Sequence, residues 1–307
     1  MGLVNYLKWE KLLRERDYSG LSALPLNKIF VFFVLGQMKQ EGVENEYVWQ
    51  ELIKKIRNEP MSGWERLELS LCCPLVDVSK FEIEPFLEQF LSYVKDKNVD
   101  KTIVHVHVPK AAGTSVNKAF LNKFYHEGIA LPGNNTPFAL RYIFENYMGS
   151  VPFLTTSHVA LDWLISNEVK VQSCDPFMVH RPHKDRINSM RNQIVSSLLN
   201  SKFLNRPYSY YKQFYIGEML NKYLFPVFNE KLISTMSSSL SDDIDKAADI
   251  IEARDVSIVA FDAVHDYLKE EYDITLLHGK KNRTYNLSKY MLEIPEFFYA
   301  ADSKVFR

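Results

Sequence analysis

Residues 102–115 read TIVHVHVPKAAGTS, and this stretch decides the fold. Its first seven residues are rich in β-branched side chains, as in a strand, and residues 116–120 continue as a helix-like stretch. We therefore predict a strand, a loop of small residues and a helix. In this arrangement the free N–H groups and the positive dipole end of the helix face any anion that lies at the loop.

The loop lysine lies before the glycine instead of after it. In the ATP- and GTP-binding loop, GxxxxGK[ST], the lysine follows the last glycine and reaches the terminal phosphates. Here Lys110 precedes Gly113 and the upstream glycine is missing. On this segment alone, an ordinary strand-to-helix turn with an exposed lysine remains the alternative.

This order of residues resembles the 5′-phosphosulfate loop of sulfotransferases that use 3′-phosphoadenosine 5′-phosphosulfate (PAPS). In that family Pro-Lys is followed by small residues, Gly and Thr/Ser. The resemblance implies that the phosphosulfate is held by Lys110, Ala111, Ala112, Gly113, Thr114 and Ser115.

A second segment resembles the same family. Residues 176–180 read as a short buried strand, and a basic stretch with helical spacing follows. The sulfotransferase strand ends in an arginine, with another arginine five residues on and a serine eight residues on. Arg181, Arg186 and Ser189 have that spacing, which implies contacts to the 3′-phosphate that distinguishes PAPS from ATP.

This second segment departs from the family at its proline. Pro182 follows Arg181 directly, whereas the family has one residue between them, and alignment on the proline would put His180 in the place of the arginine. We prefer the register of Arg181 because it preserves three polar positions. Taken alone, the segment could also be a solvated basic helix start.

Composition excludes several classes of protein. The chain has 307 residues, 46% of them hydrophobic, and a net charge of −1, so a folded protein of about two domains is expected rather than a general nucleic-acid binder. Its three cysteines, Cys72, Cys73 and Cys174, have neither disulfide nor zinc-ligand spacing. The longest apolar run, 29–35, is far shorter than the roughly 20 residues of a membrane span. The N-terminus lacks signal-peptide features, and we expect a cytoplasmic enzyme.

The pattern of the chain changes near residue 98. Helical periodicity marks residues 26–40, 46–58 and 83–97, whereas short β-rich runs at 103–108, 153–157, 177–180 and 256–261 alternate with helices. We predict an α-helical N-terminal region of unassigned role over 1–98. An α/β domain over 99–307 would follow, with a P-loop-like parallel sheet flanked by helices.

A histidine is the best candidate for a catalytic base. His158 follows a predicted strand, and Ser157-His158-Val159 resembles the strand-end Gly-His-Val segment of uronyl 2-O-sulfotransferases and their bacterial relatives, with serine in place of glycine. The resemblance implies that His158 removes the proton of the acceptor. A structural hydrogen bond is the alternative role.

Two further segments carry imidazole or basic side chains. His105 and His107 share one face of the first strand, but partners with recognisable metal-ligand spacing are missing, so we predict no metal. The late basic loop with Lys281 and Arg283 resembles the family's loop over the 3′-phosphate side of the nucleotide, although a solvated turn is equally compatible.

The sequence thus predicts a PAPS-dependent sulfotransferase that moves a sulfuryl group to a hydroxyl of a carbohydrate or glycolipid and leaves 3′-phosphoadenosine 5′-phosphate (PAP). Lys110 would neutralise charge on the bridging oxygen, and His158 would be the base. A nucleotide-dependent kinase or other phosphotransferase is one alternative. The other is a non-catalytic PAP-binding scaffold protein with residues 1–98 as its interaction module.

Overall fold

A computed structural model describes residues 3–76, 80–95, 99–165, 172–182, 185–186, 189, 236, 239–241, 243, 246–276 and 305–306. In these ranges the chain forms helices and one sheet of four parallel strands. This confirms the predicted α/β class. None of the helices in the described ranges is long and apolar enough to cross a membrane.

The sheet contains β1 (Thr102–Val106), β2 (Phe153–Thr155), β3 (Cys174–His180) and β4 (Ser257–Ala260). Each strand overlaps one of the four predicted β-rich runs. β1 ends two residues earlier than predicted, because the next N–H, that of His107, donates to the Thr156 hydroxyl instead of continuing the ladder. β3 begins earlier than predicted, because Cys174 already pairs with Thr102 of β1.

The strand order β2-β1-β3-β4 creates a crevice in the middle of the sheet. The connection that follows β1 leads to β2 on one side of this crevice, and the connection that follows β3 leads to β4 on its other side. In open α/β sheets, ligands bind outside the carboxyl ends of the two strands at which the connections diverge in this way. The crevice between the ends of β1 and β3 is therefore the place where the fold favours a binding site.

Six helices precede the sheet in the described part of the chain: α1 (Leu3–Arg14), α2 (Tyr18–Ser22), α3 (Lys28–Gln40), α4 (Glu46–Ile56), α5 (Gly63–Cys72) and α6 (Lys80–Ser92). The starts of α3 and α4 are fixed by Asn27 and Asn45, whose side chains accept from backbone N–H groups one turn later. α5 begins at a capping box formed by Ser62 and Glu65. α3, α4 and α6 correspond to the three predicted segments, with ends shifted by a few residues, whereas α1, α2 and α5 lie outside those segments.

Five helices follow β1 in the described ranges: α7 (Gly113–Phe124), α8 (Pro137–Tyr147), α9 (Leu161–Leu164), α10 (Ala247–Ala253) and α11 (Val264–Tyr272). α7 packs on the sheet through Phe120, whose ring stacks 4.5 Å from that of Phe153 in β2. Consecutive residues of β1 from Val104 to Val106 are fully buried. Because neighbouring strand residues face opposite sides, both faces of the sheet are covered.

Two clusters of buried apolar side chains stabilise the chain. One is built from α1 to α5 and the residues around them, with α3 at its centre. The other surrounds the sheet and also takes in Trp64 and Leu67 of α5 and Leu87 and Phe90 of α6. α5 therefore contributes to both clusters, and α6 packs in the cluster that surrounds the sheet. The division of the chain at residue 98 stays a prediction.

A buried carboxyl group joins the first helices to the helices around the sheet. Glu68 of α5 is fully buried, and its Oε2 accepts from the N–H of Ala139 at 2.7 Å, within the first turn of α8. The Cys72 thiol donates to the other oxygen at 3.7 Å. The α8 cap residue, Thr136, makes no side-chain cap of its own, so Glu68 performs that function from another helix.

We expect Glu68→Ala to lower the free energy of unfolding by about 2 kcal/mol, because a buried N–H loses its acceptor. Glu68→Gln, which keeps an acceptor oxygen, should lose much less. Burial raises the pKa of Glu68 to about 8, against the opposing effect of the backbone N–H groups of Ala139 and Phe138. The carboxyl is therefore easier to ionise in the unfolded chain.

The stability of the wild type should therefore fall between pH 5 and pH 9 relative to Glu68→Gln, because ionisation above the unfolded-state pKa favours the unfolded chain. Urea denaturation of the wild type and both variants at pH 5, 7 and 9 measures the loss of stability on substitution and its dependence on pH. Equal loss of stability in the alanine and glutamine variants at pH 7 would contradict the capping role.

Candidate functional site

The loop between β1 and α7 presents unpaired backbone donors at the crevice. Lys110 and Ala112 both have left-handed backbone, with φ angles of 67° and 60°. Ala112 caps α7 without a side-chain hydrogen bond. In the described part of the chain, the N–H groups of Ala112, Gly113 and Thr114 donate to no oxygen. Such a concave run of N–H groups at a helix start is an anion-binding geometry.

Arg181 connects this loop to the end of β3. Its Nη1 donates to the Lys110 carbonyl oxygen at 2.8 Å, and its guanidinium lies over the Phe261 ring, 4.6 Å from the ring centroid. His180, the alternative candidate for this position, ends β3 with its ring 5.6 Å from that of Phe306. Arg181 thus reaches the loop, and the two sequence segments meet in one place.

Two cationic side chains, those of Lys110 and Arg181, lie near each other where the loop meets the end of β3. The Lys110 ammonium makes no hydrogen bond or ion pair with any residue that the structure describes. Partial burial lowers its pKa, and the neighbouring charge of Arg181 lowers that pKa further. Burial also lowers the pKa of Arg181, whereas the Asp185 carboxylate opposes the shift. Two half-buried cations with one nearby carboxylate are an arrangement that a bound anion would stabilise.

The remaining predicted phosphate contacts are placed in part. After Pro182, the backbone is helical at Arg186 and at Ser189. Arg186 is only 1% exposed, and its backbone N–H donates to the Pro182 carbonyl oxygen at 3.0 Å. Ser189 is half-buried. Thr114 and Ser115 are exposed in the first turn of α7. Lys281 and Arg283 lie outside the described residues.

His158 lies in a constrained turn beside the same loop. Ser157 and His158 are both left-handed, with φ angles of 48° and 75°. The Nδ1 atom of His158 lies 3.0 Å from the His107 carbonyl oxygen. Because a carbonyl oxygen only accepts, Nδ1 carries the proton and Nε2 carries the lone pair. This is the tautomer that a general base requires at Nε2.

Two more histidines and an asparagine lie beneath the loop. The ring of His107 lies 4.1 Å from that of His158 and 5.4 Å from that of His105, measured between centroids. Asn117 of α7 contacts both: its Oδ1 lies 2.6 Å from His105 Nδ1, and its Nδ2 lies 3.4 Å from His107 Nδ1. Burial lowers the pKa of His105 to about 4 and that of His107 to about 2, so both rings are neutral near pH 7.

These histidines do not form a metal centre with other residues that the structure describes. Within that part of the chain, groups of three or more His, Cys, Asp and Glu side chains that could hold a metal ion are absent. His105 and His107 instead hydrogen-bond to an amide, which is a poor metal-ligand environment.

Sequence reasoning missed several residues of this site. Asn117, Thr156 and Phe261 hold His107 and Arg181 through the contacts described above, and none of them carries a recognisable motif. The sequence presents His107 only as a candidate metal ligand. Its placement two residues before the loop proline, on the same face as His105, was the one signal that could have pointed to it.

Gly113 is required because the His107 ring occupies the place of a side chain. A Cβ atom on Gly113 would lie 1.9 Å from Cδ2 and Nε2 of that ring. We expect Gly113→Ala to lower the free energy of unfolding by about 1–3 kcal/mol through overpacking. Thermal or urea denaturation of the variant and the wild type measures this difference in the free energy of unfolding.

Gly133→Ala is the matched control, because a Cβ there would meet nothing within 4 Å. The double variant His107→Ala/Gly113→Ala should lose clearly less stability than the sum of its single variants, since the clash has been removed. Strict additivity would contradict this account of Gly113.

Comparison of the chain with protein-family models, with curated proteins and with solved structures found no match. What the chain does must therefore be inferred from the arrangement of its own residues.

Proposed function

We propose that this chain is a PAPS-dependent sulfotransferase that transfers a sulfuryl group to an acceptor hydroxyl. The observation that carries the proposal is the meeting of Lys110 and Arg181 at the N-terminus of α7, in the crevice between β1 and β3. A ligand for this place must be anionic, because it would face two cations and several unpaired N–H groups. The order of residues in the loop favours a phosphosulfate.

In this proposal each polar group has a separate task. The N–H groups of Gly113 and Thr114 would hold the 5′-phosphate, with Ala111, Ala112 and Ser115 completing the loop. The acceptor oxygen attacks sulfur in line as His158 Nε2 takes its proton, a new S–O bond forms, and the bond from sulfur to the bridging phosphate oxygen breaks. Lys110 would neutralise the charge that grows on that bridging oxygen as PAP leaves.

The 3′-phosphate of the nucleotide would be recognised from the β3 side. Arg181 lies at the end of β3 and has a guanidinium suited to two parallel hydrogen bonds with phosphate. Arg186 and Ser189 are assigned to the same phosphate by their spacing, and Lys281 and Arg283 by the resemblance of their loop. Binding of two phosphates at once is what would separate PAPS from adenosine 5′-phosphosulfate.

The backbone at Ser157 supports the comparison with glycan sulfotransferases. Ser157 occupies the place of a glycine in the family's Gly-His-Val segment, and it has the left-handed backbone that glycine adopts most easily. Strained backbone held next to a reactive side chain is common at functional sites. We therefore propose a carbohydrate or glycolipid hydroxyl as acceptor, for an enzyme acting in the cytoplasm.

Kinase or other phosphotransferase activity is the first alternative. An ATP- or GTP-binding loop places its lysine in the first helical turn, whereas the first turn of α7 consists of Gly113, Thr114 and Ser115 and the lysine lies before the cap. This difference favours PAPS over a nucleoside triphosphate. A scaffold protein that binds PAP without turnover is the second alternative, and turnover decides it.

Calorimetric titration with PAP, AMP and ATP–Mg²⁺ tests the proposed ligand. We expect PAP to bind about 10- to 100-fold more tightly than AMP, the range for one added charged hydrogen-bond group. Lys110→Ala should reduce turnover by about 100-fold, whereas Lys118→Ala, which removes an exposed lysine of α7, should not. Tight ATP–Mg²⁺ binding with indifference to PAP would favour the phosphotransferase.

His158→Ala tests the base separately from the nucleotide site. Loss of a general base should lower turnover by about 100-fold or more and leave PAP affinity within about twofold, because the phosphates contact other residues. His126→Ala is the control, since His126 is exposed. Steady-state transfer from PAPS to a panel of glycan acceptors measures turnover. Good PAP affinity without turnover by the wild type on any hydroxyl acceptor would favour the scaffold.

A further inference from the structure

His107 has an imidazole edge at the start of α7 that the proposed function does not use. The position that a Cβ on Gly113 would take is 1.9 Å from both Nε2 and Cδ2 of His107, so this edge of the ring lies against the first residue of the helix. His107 is half-buried as a residue, whereas His105 is fully buried. The N–H groups of Gly113 and Thr114, next to this edge, have no acceptor in the described part of the chain.

The hydrogen bonds of Asn117 determine which nitrogen of His107 carries the proton. The distance of 2.6 Å between Asn117 and His105 Nδ1 suits an N–H donor and an oxygen acceptor, so the amide oxygen faces His105. The amide NH₂ group then faces His107 and donates to its Nδ1, 3.4 Å away. A neutral imidazole that accepts at Nδ1 must carry its proton on Nε2. The ring therefore presents an N–H donor at its Nε2 edge.

The two neighbours of this donor are the two halves of the proposed reaction site. One neighbour is the loop that would hold the 5′-phosphate, through the contact with Gly113. The ring of His158 is also a neighbour of the His107 ring, 4.1 Å away between centroids. His107 therefore borders both places between which the transferring group would move.

We propose that His107 Nε2–H donates a hydrogen bond to an oxygen of the transferring sulfuryl group. This role rests on the proposed function, because it assumes a phosphosulfate at the loop. His107 would then be a third protein contact of the reacting group, beside Lys110 and His158. It would also distinguish the sulfated donor from the product, since PAP has no sulfuryl oxygen to accept the bond.

A neutral donor suits this position. A third cation here would be repelled by Lys110 and Arg181, whereas a neutral imidazole supplies an N–H without adding charge. Burial lowers the pKa of His107, and the neighbouring rings of His158 and His105 lower it further. The ring therefore stays neutral, and its donor does not depend on pH in the physiological range.

Two substitutions of His107 separate the Nε2 donor from the bulk of the ring. His107→Asn keeps a polar group at the Nδ1 position, where it can contact Asn117, but has no donor at Nε2. His107→Gln extends an amide N–H to about the Nε2 position. Affinity for PAPS without acceptor and for PAP is measured for each variant by calorimetry, with thermal melting as a check on folding.

We expect His107→Asn to bind PAPS about 10-fold or more weakly, the loss expected for one hydrogen bond to a charged group, and to bind PAP within about twofold of the wild type. His107→Gln should recover most of the PAPS affinity. Equal PAPS affinities of the two variants, or equal weakening of PAP and PAPS, would overturn the role of His107. A wild type that binds neither nucleotide would instead overturn the proposed sulfotransferase itself.

The tautomer can be tested without any substitution. In ¹⁵N-histidine-labelled wild-type protein, two-bond ¹H–¹⁵N spectra should show His107 protonated on Nε2 alone and unchanged between pH 5.5 and pH 8.5. A proton on Nδ1, or formation of the imidazolium in that range, would overturn the proposal even if PAPS binds.

Discussion

The hydrogen bond from Arg181 to the Lys110 carbonyl oxygen is the contact on which the site depends. It joins the residues that follow β1 to those that follow β3, at the point in the sheet where the chain connections diverge. Because it uses the lysine's backbone, the Lys110 ammonium stays available to a ligand. The Phe261 ring packs against the guanidinium, so an uncharged group helps to hold this cation in place.

Beneath the loop, buried polar side chains fix the shape that the loop adopts. Burial of an imidazole is unfavourable unless its nitrogens are hydrogen-bonded, and Asn117 meets that requirement for the Nδ1 atoms of His105 and His107. His107 in turn fixes Gly113 by contact and His158 by its carbonyl oxygen. One residue that follows β1 thus contacts both the loop of Lys110, through its ring, and the proposed base, through its backbone. The helices before the sheet are joined to this unit by α5 and α6, which pack in the core of the sheet.

Sequence reasoning predicted the α/β class, the parallel sheet and the main helices, because period-two and helical apolar patterns are local properties. Strand ends were predicted less well: β1 ends when His107 donates to Thr156, a residue about fifty positions away. The same limit applies to the site. Lys110, Gly113 and Arg181 belong to short motifs, whereas Asn117 and Phe261 act through contacts that only the folded chain creates. The cap that Glu68 gives to α8 could not be predicted for the same reason.

A crystal structure of the wild-type chain with saturating PAP tests the central claim most directly. The account predicts one PAP molecule in the crevice between β1 and β3, with its 5′-phosphate within hydrogen-bond distance of the Gly113 and Thr114 N–H groups and of the Lys110 ammonium. Its 3′-phosphate should contact the Arg181 guanidinium. Density for PAP at another place, with the loop of Lys110 unoccupied, would contradict the claim that the two cations form a single nucleotide site.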